Sequence, residues 1–213
     1  MNSQSTRRLR RACVLTSLAL AGTLVLTACG NDTKSDRAGN STPPATTAAT
    51  ASFGDADVMF AQMMIPHHEQ AVEMARQAPT KAADPEVKRL AATIEAAQAP
   101  EIALMKGWLT AWAKPLAAPM GHDMTGMMSP ADMQAFGNAT GPDFDRHFLE
   151  LMIVHHEGAI TMARSELTQG TNPEARRLAQ AIESSQAEEV NTMRRLLAAR
   201  TGTTPPPTTP THH

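Results

Sequence analysis

Tyrosine is absent from this chain of 213 residues, and cysteine occurs only as Cys13 and Cys29. The first absence excludes tyrosyl-radical and tyrosine electron-relay chemistry. The second depends on where the two cysteines stand. Residues 7–11 read RRLRR, and an apolar run follows from Ala12 to Leu26. That run is too short and wrongly flanked for an ordinary spanning helix. It ends in Leu26-Thr27-Ala28-Cys29, the pattern of a bacterial lipobox. The expectation is that residues 1–28 are a lipoprotein signal peptide, cleaved before Cys29, with lipid on the Cys29 thiol. The mature protein would then be extracytoplasmic and lipid-anchored to the cell membrane. A plain signal peptide with a chance cysteine is the alternative, and the arginine pairs leave Sec and twin-arginine export both open. A lipidated mature chain has neither free thiol nor disulfide. Any soft-metal site in it must use methionine sulfur and histidine nitrogen. Basic excess is missing too. The formal charge of −2 falls to about −6 once the four arginines of residues 7–11 leave. That argues against a nucleic-acid partner, which wants a basic patch.

What is present is a repeat. Residues 30–54 are rich in Thr, Ala, Ser, Asn, Gly and Pro, a flexible tether carrying Cys29 at its start. Residues 201–213, TGTTPPPTTPTHH, form a similar tail. Residues 55–200 lie between, enough for one domain with a real core. Within them MMIPHHEQAVEMA (63–75) returns as LMIVHHEGAITMA (151–163). The offset of 88 residues holds without a gap between residues 57–109 and 145–197, with roughly half the positions identical. His67-His68-Glu69 returns as His155-His156-Glu157, and Gln98, Glu101 and Met105 also recur. This is an internal duplication.

Each copy reads as a helical hairpin. Phe60, Met64, His67, Ala71, Met74 and Ala78 follow one another at steps of four and three, one apolar stripe. The first helix is expected from about Asp55 to about Ala78, bent near Gln62 to Pro66. Asp84-Pro85 starts the second, which runs to about Trp112. The second copy predicts helices over about 143–168 and 173–199, the latter opened by Asn172-Pro173. Ser129-Pro130 starts a short helix to about Phe136. No segment shows strand alternation. The prediction is an all-α four-helix bundle built from two duplicated hairpins.

The histidines are the chemical feature. His67 lies on the stripe, and His68 is turned about 100° from it. Both stand three or four residues from Met64 and can share a face with its sulfur. Met152, His155, His156 and Met162 repeat the arrangement, with Leu151 in place of Met63. Histidine on a core stripe can be a hydrogen-bonded core residue, and methionine can be filler. Their joint retention in two diverged copies favours a metal site, and thioether with imidazole suits Cu(I). The linker 119–133, PMGHDMTGMMSPADM, crowds Met120, His122, Met124, Met127 and Met128 together. It reads either as a second Met/His site or as a loop packed over the bundle end. Glu69 and Glu157 either pair with Arg76 and Arg164, or hydrogen-bond a histidine and orient it. His147 stands where the first copy has Met59, and His212 and His213 fall in the tail.

The pattern Phe-x-x-x-Met-Ile-x-His-His-x-x-Ala-x-x-Met-Ala resembles the domain-of-unknown-function 305 family. So do the Leu-Ala-x-x-Ile-x-x-x-Gln-x-x-Glu that follows, the late Met with Trp-Leu, and the loop Gly-His-Asp-Met-x-Gly-Met-Met. Gly141 to Asp145, leading into the second His-His, fits as well. The resemblance covers about residues 55–198. It implies a ferritin-like bundle exported to the cell envelope, and copper binding through Met and His in some members. Carried over by residue, it implies Met64, His67, His68, Met74, Met152, His155, His156 and Met162. Pro66 departs from the family's usual small or apolar residue.

Three functions compete. The first is a non-enzymatic copper-binding protein that buffers, stores or passes on copper. The second is a ferritin-like di-metal carboxylate oxidase using iron or another divalent metal. Such sites want Glu-x-x-His, and the second helices offer only Glu95-x-x-Gln98 and Glu183-x-x-Gln186. The third is a metal-free envelope interaction module. Ligand type favours the first and points away from an enzyme. The protein partner is left open.

Overall fold

A computed structural model describes residues 52–118 and 124–201. Six helices occur among them: α1 (Asp55–Ala75), α2 (Ala78–Lys81), α3 (Pro85–Ala111), α4 (Pro130–Asn138), α5 (Gly141–Gln169) and α6 (Pro173–Thr201). There is no strand among the described residues, and none of these helices is long and apolar enough to cross a membrane. The signal peptide, Cys29, Met120, His122 and the Thr/Pro tail lie outside the described residues.

The hairpins follow the duplication. α1 packs on α3, α5 packs on α6, and the hairpins meet through α1 and α5. The Asp-Pro and Asn-Pro starts cap as their chemistry requires. The Asp84 carboxylate accepts from the Glu86 amide at 2.6 Å, and the Asn172 side chain accepts from the Glu174 and Ala175 amides at 2.9 and 3.0 Å. α1 continues through Pro66, which forgoes one backbone hydrogen bond there.

One boundary differs from expectation. α1 ends at Ala75, and the stripe residue Ala78 belongs to α2. Pro79 is the cause: it brings no N–H and its ring blocks the preceding turn. The second copy has Leu167 there, and α5 runs on to Gln169.

The hairpins also cap each other. The Asp57 carboxylate accepts from the amides of Thr171 and Asn172 at 3.0 and 2.8 Å. Its equivalent Asp145 accepts from the amides of Ala83 and Asp84 at 3.1 and 2.9 Å. Each carboxylate thus satisfies the hairpin loop of the opposite copy, where charge-assisted bonds contribute about 1.5–3 kcal/mol each. The two pairs of bonds are equivalent under the offset of 88 residues. Two apolar clusters fill the ends. Phe136, Phe144, Phe148, Met74, Met152 and Met193 lie in one, and Met64, Met105, Trp108 and Phe60 in the other.

Candidate metal centre

The middle of the bundle, between the apolar clusters, is polar. His67, His68, His155 and His156 all have zero exposure. A pair of adjacent residues on a helix points in two directions about 100° apart, and the fold uses both. His67 faces the opposite hairpin, with its ring centroid 3.7 Å from that of His155. His68 and His156 face their own hairpin partners. His68 Nε2 donates to Glu101 Oε2 at 2.8 Å, and His156 Nε2 donates to Glu189 Oε2 at 2.7 Å. These two bonds are equivalent under the offset of 88 residues. A carboxylate on Nε2 fixes the ring and leaves the Nδ1 lone pair of a neutral imidazole available.

The Met-rich loop closes on this layer. His67 Nε2 donates to the Thr125 carbonyl at 3.2 Å. The Gln70 side chain holds the Met128 backbone at both ends, donating to its carbonyl at 2.9 Å and accepting from its amide at 2.7 Å. The position equivalent to Gln70 is Gly158, and it receives the loop instead. A Cβ on Gly158 would stand 2.1 Å from the Thr125 carbonyl oxygen. Gly126, at φ +85°, completes the close approach. One copy clamps the loop and the other makes room for it. Met128 is buried, and Met124 and Met127 are half-buried.

Five buried ring nitrogens have no hydrogen-bond partner: Nδ1 of His67, His68 and His156, and both nitrogens of His155. Burial pushes the His67 ring down to about 3, with His68 adding to the effect. Burial likewise holds His155 well below the ordinary histidine value, reinforced by His67, His156 and His68. Both rings are therefore neutral at physiological pH. The amide nitrogen and oxygen of buried Gln98 are also unpartnered, as is the oxygen of Gln186. Among the described residues no three His, Asp or Glu side chains converge closely enough to hold an ion by themselves.

The sulfurs divide into two groups. Met64 and Met152 are fully buried one turn from the histidines, and share their clusters with Met105 and Met193 respectively. Met74 shares the cluster of Met152 and Met193, and Met162 packs against that of Met64 and Met105, but both stand away from the histidine layer. Six or seven residues beyond the histidines, they stand about 10 Å further along their helices. Met74 is enclosed with Phe144 and Phe148, and Met162 is half-buried beside Met59 and Met63.

Glu69 and Glu157 correct the expectation for orienting carboxylates. Both are exposed and face away from the rings. Glu69 accepts from Lys106 Nζ at 2.6 Å, and Glu157 pairs with Arg194. Arg76 and Arg164 are engaged by Glu95 and Glu183 instead, at 2.8 and 2.7 Å on the outer face. The carboxylates that do orient the rings are Glu101 and Glu189. Their recurrence in the repeat was the signal for them; the Thr125 contact and the Gly158 seat had none.

With this geometry in place, the comparisons decide the kinship. The model of the domain of unknown function DUF305 matches residues 57–197. The chain belongs to the DUF305 family. A DUF305 protein from Streptomyces coelicolor, described as secreted, is 36% identical; the match covers 74% of this chain and 98% of that one with a TM-score of 0.66. A DUF305 fragment from Deinococcus radiodurans is 32% identical over 68% of this chain and 97% of its own, with a TM-score of 0.63. CopM in its Cu(II)-bound form is 36% identical over 68% of this chain and 97% of its own, with a TM-score of 0.60. CopM has also been solved in Cu(I)-bound, Ag-bound and apo forms. No curated protein matches this chain.

Proposed function

We propose that this DUF305 protein is an extracytoplasmic, lipid-anchored copper-binding protein that buffers copper, as Cu(I), through histidine and methionine. The observation that carries the reading is the set of five unpartnered ring nitrogens in a fully buried layer. A buried nitrogen without a partner costs about 1–3 kcal/mol, and four histidines kept there in a duplicated pattern need a compensating ligand. The donor set fits a soft monovalent ion. The rings of His67 and His155 are neutral, the thioethers of Met64 and Met152 stand one turn from the histidines, and no thiolate is needed. Glu101 and Glu189 hold the outer nitrogens of His68 and His156, so that Nδ1 of each ring is the metal-facing atom. His67 and His155 supply the facing pair on the pseudo-two-fold axis. The loop through Thr125 shields the layer from water, and its Met124, Met127 and Met128 offer the path by which an ion arrives. Export and the anchor rest on the lipobox at Cys29, and the secreted Streptomyces relative supports the same compartment.

The test is anaerobic Cu(I) titration of the full chain against a competing chelator, wild type beside His67→Leu/His155→Leu. Affinity should fall by at least the roughly 10- to 100-fold that loss of an orienting partner costs, with helical circular dichroism retained. Unchanged affinity would move the site to the loop residues Met120, His122, Met124, Met127 and Met128. A folded wild type that takes up no copper would sink the reading.

A further inference from the structure

The duplication creates two equivalent grooves between α1 and α5, and the fold treats them differently. At one end α4 packs on α5, and its Phe136 shares an apolar cluster with Met74 of α1. Phe136 of α4 packs on Phe144 and Phe148, with ring centroids 4.8 and 6.4 Å away, and Met133 joins the same cluster. Lys81 donates to the Gly137 carbonyl and ties the end of α4 down. Met74 beneath it has zero exposure. The opposite end has no such helix among the described residues, and Met162, the equivalent of Met74, is only half-buried. There a cavity of about 290 Å³ is lined by Met59, Phe60, Met63, Met162, Ser165 and Gln169 among others.

The open groove also differs in composition. His147 and Leu151 of the covered end are replaced by Met59 and Met63. Met59 and Met63 stand one turn apart on α1, and Met162 faces them from α5. Three thioethers therefore border one cavity, and among the described residues no charged side chain lines it.

We propose that Met59, Met63 and Met162 form a second, solvent-reachable site for a soft monovalent cation, of the Cu(I) or Ag(I) class. Three neutral sulfurs suit such an ion and reject hard divalent ones. A dication would keep an uncompensated charge against an apolar wall. Methionine's unbranched side chain lets each sulfur turn from packing to ligation without moving the helices. The site is separate from the histidine layer. Met59 and Met162 stand roughly 10–12 Å along their helices from His67 and His155, and Met63 stands one turn, about 6 Å, from His67.

The test uses the full chain labelled with [methyl-13C]methionine and titrated with silver nitrate in chloride-free buffer. Single Met→Leu variants assign the three methyl signals. All three should shift together, and Met59→Leu/Met63→Leu/Met162→Leu should bind one Ag(I) fewer than wild type. The shifts should persist in His67→Leu/His155→Leu, which separates this site from the histidine reading. Three methyl signals unmoved at saturating Ag(I), an unchanged stoichiometry in the triple variant, or shifts that vanish with the histidines would each overturn the proposal. If the triple variant fails to fold, the wild-type methyl shifts alone decide.

Discussion

Replacing Glu166 with glutamine should make the protein more stable above neutral pH and leave it unchanged near pH 4.5. Glu166 is 2% exposed at the end of α5, beside Asp57, and neither of its carboxyl oxygens has a donor. Burial pushes its carboxyl up from 4.5 to about 8, and the hydrogen bond with Asp57 and its negative charge add to this while Arg176 opposes. Asp57 goes the other way. Burial alone would raise it, but donors at Gly54, Glu166, Asn172 and Thr171 bring it below its ordinary value. The pair therefore shares one proton, carried by Glu166. The folded state holds that proton from pH 4.5 to about 8 while the unfolded chain has released it, so stability falls as pH rises through this window. At about 1.36 kcal/mol per pH unit the full loss would approach 5 kcal/mol. This end of the bundle is within reach of water and of Arg176, and less than half, about 2 kcal/mol, is expected. Glutamine keeps a donor for Asp57 and has nothing to ionise. For a domain of this size Glu166→Gln should melt about 4–8 °C above wild type at pH 8.5. The curves should converge toward pH 4.5 in calorimetry across the range. Every other ionisable group is common to the two proteins and cancels in the difference. The equivalent end has Ala78 in place of Glu166 and makes no such contribution. Parallel melting of the two proteins at every pH would refute the shared proton.

Two further perturbations address the metal centre. Glu101→Gln/Glu189→Gln keeps the shape but removes the carboxylates from His68 and His156. Cu(I) affinity in a chelator competition should drop roughly 10- to 100-fold while the melting temperature moves little. Gly158→Ala places a methyl against the Thr125 carbonyl, and the loop must shift, at about 1–3 kcal/mol. Limited proteolysis should then cut between residues 119 and 128 faster than in wild type, and Gln70→Ala should do the same from the other side.

Much of the fold was legible because its signals are local or repeated. The Asp84-Pro85 and Asn172-Pro173 starts act within one turn, and their cap bonds are present in the fold. The recurrence at a fixed offset implied two like hairpins whatever their packing. The candidate site was legible only as types of residue. Glu69 and Glu157 adjoin the histidines in sequence, yet a helix turns neighbours outward. The carboxylates that reach the rings come from another helix, 33 residues away in each copy. Met74 and Met162 share a sequence pattern with the histidines, but seven residues on a helix is a distance no side chain spans.

The sequence by itself determined the helices, the duplication and the stock of nitrogen and sulfur donors, because capping, periodicity and composition act along the chain. Only the tertiary structure decided which donors meet. The antiparallel crossing of α1 and α5 brings His67 against His155. The choice of Gln70 in one copy and Gly158 in the other seats the loop on one side of that crossing. The single helix α4 packs at one of two equivalent ends and leaves the methionines of the other facing water. A duplicated sequence implies a symmetric molecule. The linker between the copies occurs once, so its packing must break that symmetry.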